Sequence, residues 1–153
     1  MNTKKSPSKR TAKPARGRKR LTIAAVIKAI QKSLTPDLLK PQFREGNATN
    51  PLFGHCYHSA EALYHLIREL QLPEEYCGFR PCRGVEDNGI PHWWLQNERG
   101  AILDPTAGQY TSKGVGPPYT SGRPRPFLTK QPSKRAQALI ARVRRLIENG
   151  VYL

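Results

Sequence analysis

Covalent chemistry at a carbonyl needs a nucleophile, an imidazole to share its proton and a third group to fix the imidazole's tautomer. Cys56, His92 and Asp104 offer those groups in that chain order. Cys56 follows Gly54-His55 and opens an apolar-periodic stretch, so it is expected in the first turn of a helix. There the unpaired N–H groups and the helix dipole favour a thiolate. A thiolate of this kind attacks an amide or ester carbonyl, forms a thioester and passes the acyl group to water or an amine. The scheme needs no cofactor and no metal.

The elements that must position these groups are legible in outline. Cys56, Ala60, Leu63, Ile67 and Leu70 repeat at 4-3-4-3 spacing and stop before Pro73, the signature of a helix with one buried face. From Tyr76 the pattern changes to short extended runs, YCGFRPCRG, IPHWWLQ and AILDPT. Asn97-Glu98-Arg99-Gly100 between the last two suits a type I turn closed by a left-handed glycine. With Asn97 opposite Ala101, paired residue numbers sum to 198, and His92 and Asp104 become diagonal neighbours on one face. A two-residue turn would instead put them on opposite faces.

GHCY at a helix start, HWWL on a strand and LDPT on the next strand resemble the catalytic core of transglutaminase-like proteins, within the wider papain-like Cys-His-Asp group. The resemblance covers roughly residues 50–107. It implies an α+β fold in which the Cys-bearing helix packs on a small antiparallel sheet. It implies Cys56 as nucleophile, His92 as general base and acid, and Asp104 as the group that orients His92. Papain-like enzymes carry an amide side chain six residues before the nucleophile to help bind the oxyanion, which here implies Asn50. No D-x-[DN]-x-[DN]-G calcium loop is present, so a reduced hydrolase or acyltransferase is expected rather than a calcium-gated crosslinking enzyme. TKQPSKRA resembles, more loosely, segments of small bacteriophage proteins.

Each residue also has an ordinary structural explanation. A lone cysteine on an apolar stripe is usually a small core residue, and a lone histidine is usually a packed one. It is the ordered triple in a helix-strand-strand context that favours an active thiol. A metal site from His55, His58, Cys77 and Cys82 lacks a tight ligand pair, and Cys77 and Cys82 are expected to bracket a strand on opposite faces. Three cysteines are too few and too odd for a disulfide framework.

Around this core, Ile23, Val26, Ile27, Ile30 and Leu34 predict a helix capped by Thr22 and ended by Thr35-Pro36. Gln42–Pro51 reads as a polar connection. Residues 105–132, with six prolines and four glycines, read as a long loop, and residues 133–148 as an amphipathic helix with a basic face. Residues 21–153 form one domain on this reading.

Charge divides the chain unevenly. Lysine and arginine number 26 against 11 acids, a net charge of +15. Nine of those cations, Lys4, Lys5, Lys9, Arg10, Lys13, Arg16, Arg18, Lys19 and Arg20, precede the first leucine, and no acid stands among them. The other 133 residues hold 17 cations and 11 acids, or +6. Residues 1–20 carry no large apolar side chain, so they are expected to stay disordered alone and to associate with nucleic acid through its phosphates. The rival to an enzyme is therefore a non-catalytic nucleic-acid-binding protein, of phage origin if the TKQPSKRA likeness holds. No apolar run approaches the roughly 18 residues of a membrane span, so no membrane partner is expected. The expected location is cytoplasmic, that of the host if phage-encoded. Deleting residues 1–20 is predicted to abolish most salt-dependent binding to nucleic acid in a filter-binding titration while leaving the melting temperature unchanged.

Overall fold

The computed structural model describes residues 20–150, and the basic arm at residues 1–19 lies outside them. Among the described residues the chain is α+β, with five helices and one four-stranded antiparallel sheet. The helices are α1 (Ile23–Ser33), α2 (Pro41–Thr49), α3 (Cys56–Glu69), α4 (Gly108–Thr111) and α5 (Lys134–Glu148). The strands β1 (Arg80–Val85), β2 (Pro91–Gln96), β3 (Ile102–Leu103) and β4 (Arg123–Pro124) lie in the order β3-β2-β1-β4. None of the described helices is long and apolar enough to cross a membrane.

Local signals explain most helix ends. Thr22 caps α1 by accepting from the Ala25 N–H at 3.1 Å, and Ser133 caps α5 by accepting from Ala136 at 3.2 Å. Helix α3 stops where Gln71 turns to φ 51, so that the Leu72 N–H reaches back to the Ile67 carbonyl at 3.1 Å. The buried face of α3, from Ala60 through Leu63 and Leu66 to Ile67, packs against Val26 and Ile30 of α1 and Leu139 and Val143 of α5. Trp93 and Leu95 of β2 close this core from the sheet side.

The hairpin has the register that its turn chemistry requires. Gly100 sits at φ +84, its N–H bonds to the Asn97 carbonyl, and β2 pairs with β3 as Leu95↔Leu103 and Gln96↔Ile102. Strand β3 is only two residues long, and the chain leaves the sheet at Asp104.

Three expectations need correction. Gln42–Pro51 is mostly helix α2, because Pro41 supplies a helical φ at its first position and Asn47 donates to the carbonyls of Pro51 and Phe53 at 2.9 and 3.1 Å. The span 105–132 is not structureless: it holds α4, a 3₁₀ turn at Tyr119–Ser121 and the edge strand β4. Cys77 lies in the 3₁₀ turn Glu74–Gly78 and Cys82 is buried in mid-strand, so the two do not bracket β1.

The second face of β2 is roofed by this 105–122 segment. Trp94 is fully buried there, edge-on to Tyr119 with ring centroids 5.0 Å apart. The approach is possible because Gly122 has no side chain: a Cβ there would stand 2.3 Å from Trp94 Cζ2. Its φ of −66° is open to any residue, so the constraint is steric alone. Gly122→Ala is therefore expected to lower the unfolding free energy by about 1–3 kcal/mol through overpacking, with a changed near-ultraviolet tryptophan signal. An unchanged urea midpoint and spectrum would show that Trp94 gives way freely.

Candidate active site

Cys56 is the first residue of α3, half-buried, with His55 immediately outside the helix. The chain is turned into that helix by Gly54 at φ +84, where a Cβ would meet Phe43 Cβ at 2.8 Å. His92 lies on β2 and is fully buried. Asp104 follows β3, and its Oδ2 lies 2.7 Å from His92 Nε2. The diagonal relation expected from the turn is thus realised as a direct hydrogen bond.

Asp104 is held from three directions. Tyr119 donates its hydroxyl to Oδ2 at 2.8 Å, and Oδ1 accepts from the Thr106 N–H at 3.1 Å and the Thr106 hydroxyl at 3.4 Å. The carboxylate side chain is 2% exposed, so these donors replace the water it has lost. On the other side of the ring, the Gln109 amide lies 2.9 Å from His92 Nδ1. Trp94 stacks on the imidazole with centroids 5.7 Å apart, and Tyr110 meets it edge-on at 4.9 Å.

Burial alone would drive the His92 ring toward neutrality. The hydrogen bond to Asp104, the Cys56 thiol beside the ring and the charges of both outweigh that effect and lift its pKa to about 9. At neutral pH the imidazole is therefore protonated, with Nε2–H directed at Asp104. The Nδ1–H is then available to Cys56 or to the Gln109 carbonyl oxygen, which an amide presents after a half-turn. Tyr119 and Tyr110 hold their protons more firmly than ordinary phenols, chiefly through lost solvation, with Asp104 adding to it at Tyr119 and Glu86 at Tyr110.

Asn50 is buried near these groups, but its Nδ2–H donates to the Gln109 backbone carbonyl at 2.9 Å. It does not line the cleft in which Cys56 stands; Gln109 does. Sequence reasoning missed Gln109, Tyr119 and Thr106. Gln109 sits in a proline- and glycine-rich span with no periodicity to mark it, although Thr106 two residues after an aspartate is a recognisable side-chain turn.

The proposed metal ligands do not come together. Among the described residues no group of three or more histidine, cysteine, aspartate and glutamate side chains could hold a metal ion. His55 and His58 instead pair with each other, Nδ1 to Nε2 at 2.7 Å, and burial depresses their pKa values to about 4 and about 3. Arg142 and Arg144, expected on a free basic face of α5, pair with Asp37 and Glu69. Arg20, the described member of the basic arm, is exposed.

No protein-family model, curated protein or solved structure significantly matches this chain.

The histidines set opposite pH limits. His92 binds its proton more tightly in the folded chain than unfolded, so its contribution is complete below pH 6.5 and is lost as pH rises through about 9. His55 and His58 bind protons less tightly when folded, so their contribution is complete above pH 6.5 and is lost as pH falls through about 4 and about 3. Urea unfolding followed across pH is expected to show greatest stability near pH 6.5. Asp104→Asn should flatten the alkaline limb and leave the acid limb; an alkaline limb unchanged in that variant would rule out the His92 assignment.

Proposed function

We propose that the chain is a cysteine-dependent hydrolase or acyltransferase with a papain-like or transglutaminase-like core. The observation that carries this reading is the buried His92–Asp104 hydrogen bond at 2.7 Å, on a ring whose proton affinity the nearby Cys56 also raises. The Cys56 sulfur attacks the carbonyl of an amide or ester, and the carbonyl electron pair moves to oxygen. The N–H groups of the first turn of α3, which a helix leaves unpaired, and the Gln109 amide stabilise that developing charge. As the tetrahedral species collapses, His92 gives its proton to the leaving nitrogen or oxygen and a thioester remains. Water or an amine then attacks the thioester, His92 takes the attacker's proton, and the thiolate is released.

A second reading has its own observation. Arg80, Arg125 and Lys130 surround an open groove beside Pro81, Pro124 and Phe127, and among the described residues no acid lines it. Together with the nine arm cations, this supports a non-catalytic protein that associates with nucleic acid.

Iodoacetamide separates the two. At pH 6, Cys56 is expected to alkylate far faster than free cysteine, read peptide by peptide by mass spectrometry, while Cys82 stays unmodified. Asp104→Asn keeps a hydrogen-bonding group of the same shape but removes the charge that holds the imidazolium. The Cys56 rate is expected to fall at least about tenfold, with the protein still folded. An unchanged rate and melting temperature in the same preparation would remove Asp104 from the site and leave at most a Cys56–His92 dyad.

A further inference from the structure

Cys56 opens onto a cleft of about 580 Å³, within the roughly 300–1,000 Å³ span of small-molecule sites. Leu38, Phe43, Phe53, Tyr57 and Trp93 form much of its wall. Four large apolar side chains are exposed among the described residues: Val85, Ile90, Val115 and Leu128, the last at 80%. Three of the four, Ile90, Val115 and Leu128, line this same cleft. Apolar groups gathered on one rim leave a surface that a ligand's own apolar part would cover.

The charges at the cleft point one way as well. Lys40, Lys113 and Arg135 line it and form no salt bridge among the described residues, and Glu86 is the one described carboxylate in its lining. Glu86 lies near enough to Tyr110 to help raise that phenol's pKa, and three cations outnumber it at the cleft. His58 adds no charge, since its buried pairing with His55 keeps it neutral.

We propose that the acyl group delivered to Cys56 is bulky and apolar, an aromatic or long alkyl group, and that the molecule carrying it is anionic. This rests on the thiol reading above. An acetyl-sized group would leave most of the apolar wall in water, whereas a phenyl-sized group covers the wall and gains the burial. A negative charge placed beyond the acyl part meets Lys40, Lys113 or Arg135 at the rim.

Three alkylating probes of increasing likeness to such a substrate test it on the unmodified chain: iodoacetamide, N-phenyliodoacetamide and 4-(iodoacetamido)benzoate. Each Cys56 rate is divided by that reagent's rate with N-acetylcysteine. The phenyl reagent is expected to exceed iodoacetamide by about tenfold, the benzoate to exceed the phenyl reagent severalfold, and the second gain to vanish in about 0.5 M salt. Val115→Asp should reduce the phenyl gain, and a Lys40→Gln, Lys113→Gln variant the carboxylate gain. Equal normalised rates at a Cys56 that still outpaces free cysteine would overturn the substrate class and leave the thiol reading standing. A phenyl gain without a carboxylate gain would overturn the anionic part. A Cys56 no faster than N-acetylcysteine with all three reagents would remove the thiol reading and this inference with it.

Discussion

A carboxylate with almost no contact with water sits at the centre of this structure, and its neighbours are arranged to make that tolerable. Asp104 accepts from His92, from the Tyr119 hydroxyl and from both donors of Thr106. An unpaired charge in such a place would be strongly destabilising, whereas a charge with hydrogen-bonding partners in place is held. The donors come from β2, from the turn just after Asp104 and from a residue fifteen positions on. The 105–122 segment therefore cannot hang loose: its fold over β2 supplies a hydroxyl that the carboxylate needs. Trp94, Gly84 and Gly122 then follow as the packing that lets this roof approach the sheet.

The same logic of buried polar pairing runs along α3. Glu61, on the buried side of the helix, accepts from the Ser133 N–H and hydroxyl at the start of α5, placing a carboxylate at a helix N-terminus where its charge is favourable. One turn earlier His55 and His58 share a hydrogen bond, while His55 Nε2, Ser59 Oγ and Glu61 Oε2 are buried without a partner among the described residues. These contacts fix the end of α3 that carries Cys56, so the thiol is set by side chains pointing inward as well as by the apolar stripe. A thiol on a helix anchored at this end is held in the fixed position that the proposed acyl chemistry would require.

The surface charge has a different organisation. Arg142 reaches the Ser33 carbonyl, Thr35 and Asp37, and the hydrogen bonds from Thr35 and Arg142 hold the Asp37 carboxyl below its usual range. Arg142 and Arg144 thus tie α5 to the turn after α1 and to the end of α3. Six other cations line the two grooves, Lys40, Lys113 and Arg135 at the Cys56 cleft and Arg80, Arg125 and Lys130 beside β4.

What the sequence determined by itself is what local chemistry controls. The 4-3-4-3 stripe of α3, the Thr22 and Ser133 caps and the Asn97–Gly100 turn each depend on residues within a few positions of one another, and the turn fixed the register that brings His92 to Asp104. Helix α2 escaped notice because its apolar content is slight and its cohesion comes from Asn47 reaching carbonyls beyond its end. Only tertiary structure decided that Asn50 turns to the Gln109 carbonyl, that Gln109 meets His92 Nδ1, that Tyr119 meets Asp104 and that the arginines of α5 find acids. These partners are 15 to 105 residues apart in sequence. Their contacts depend on how the elements pack, and no periodicity along the chain records that distance in space.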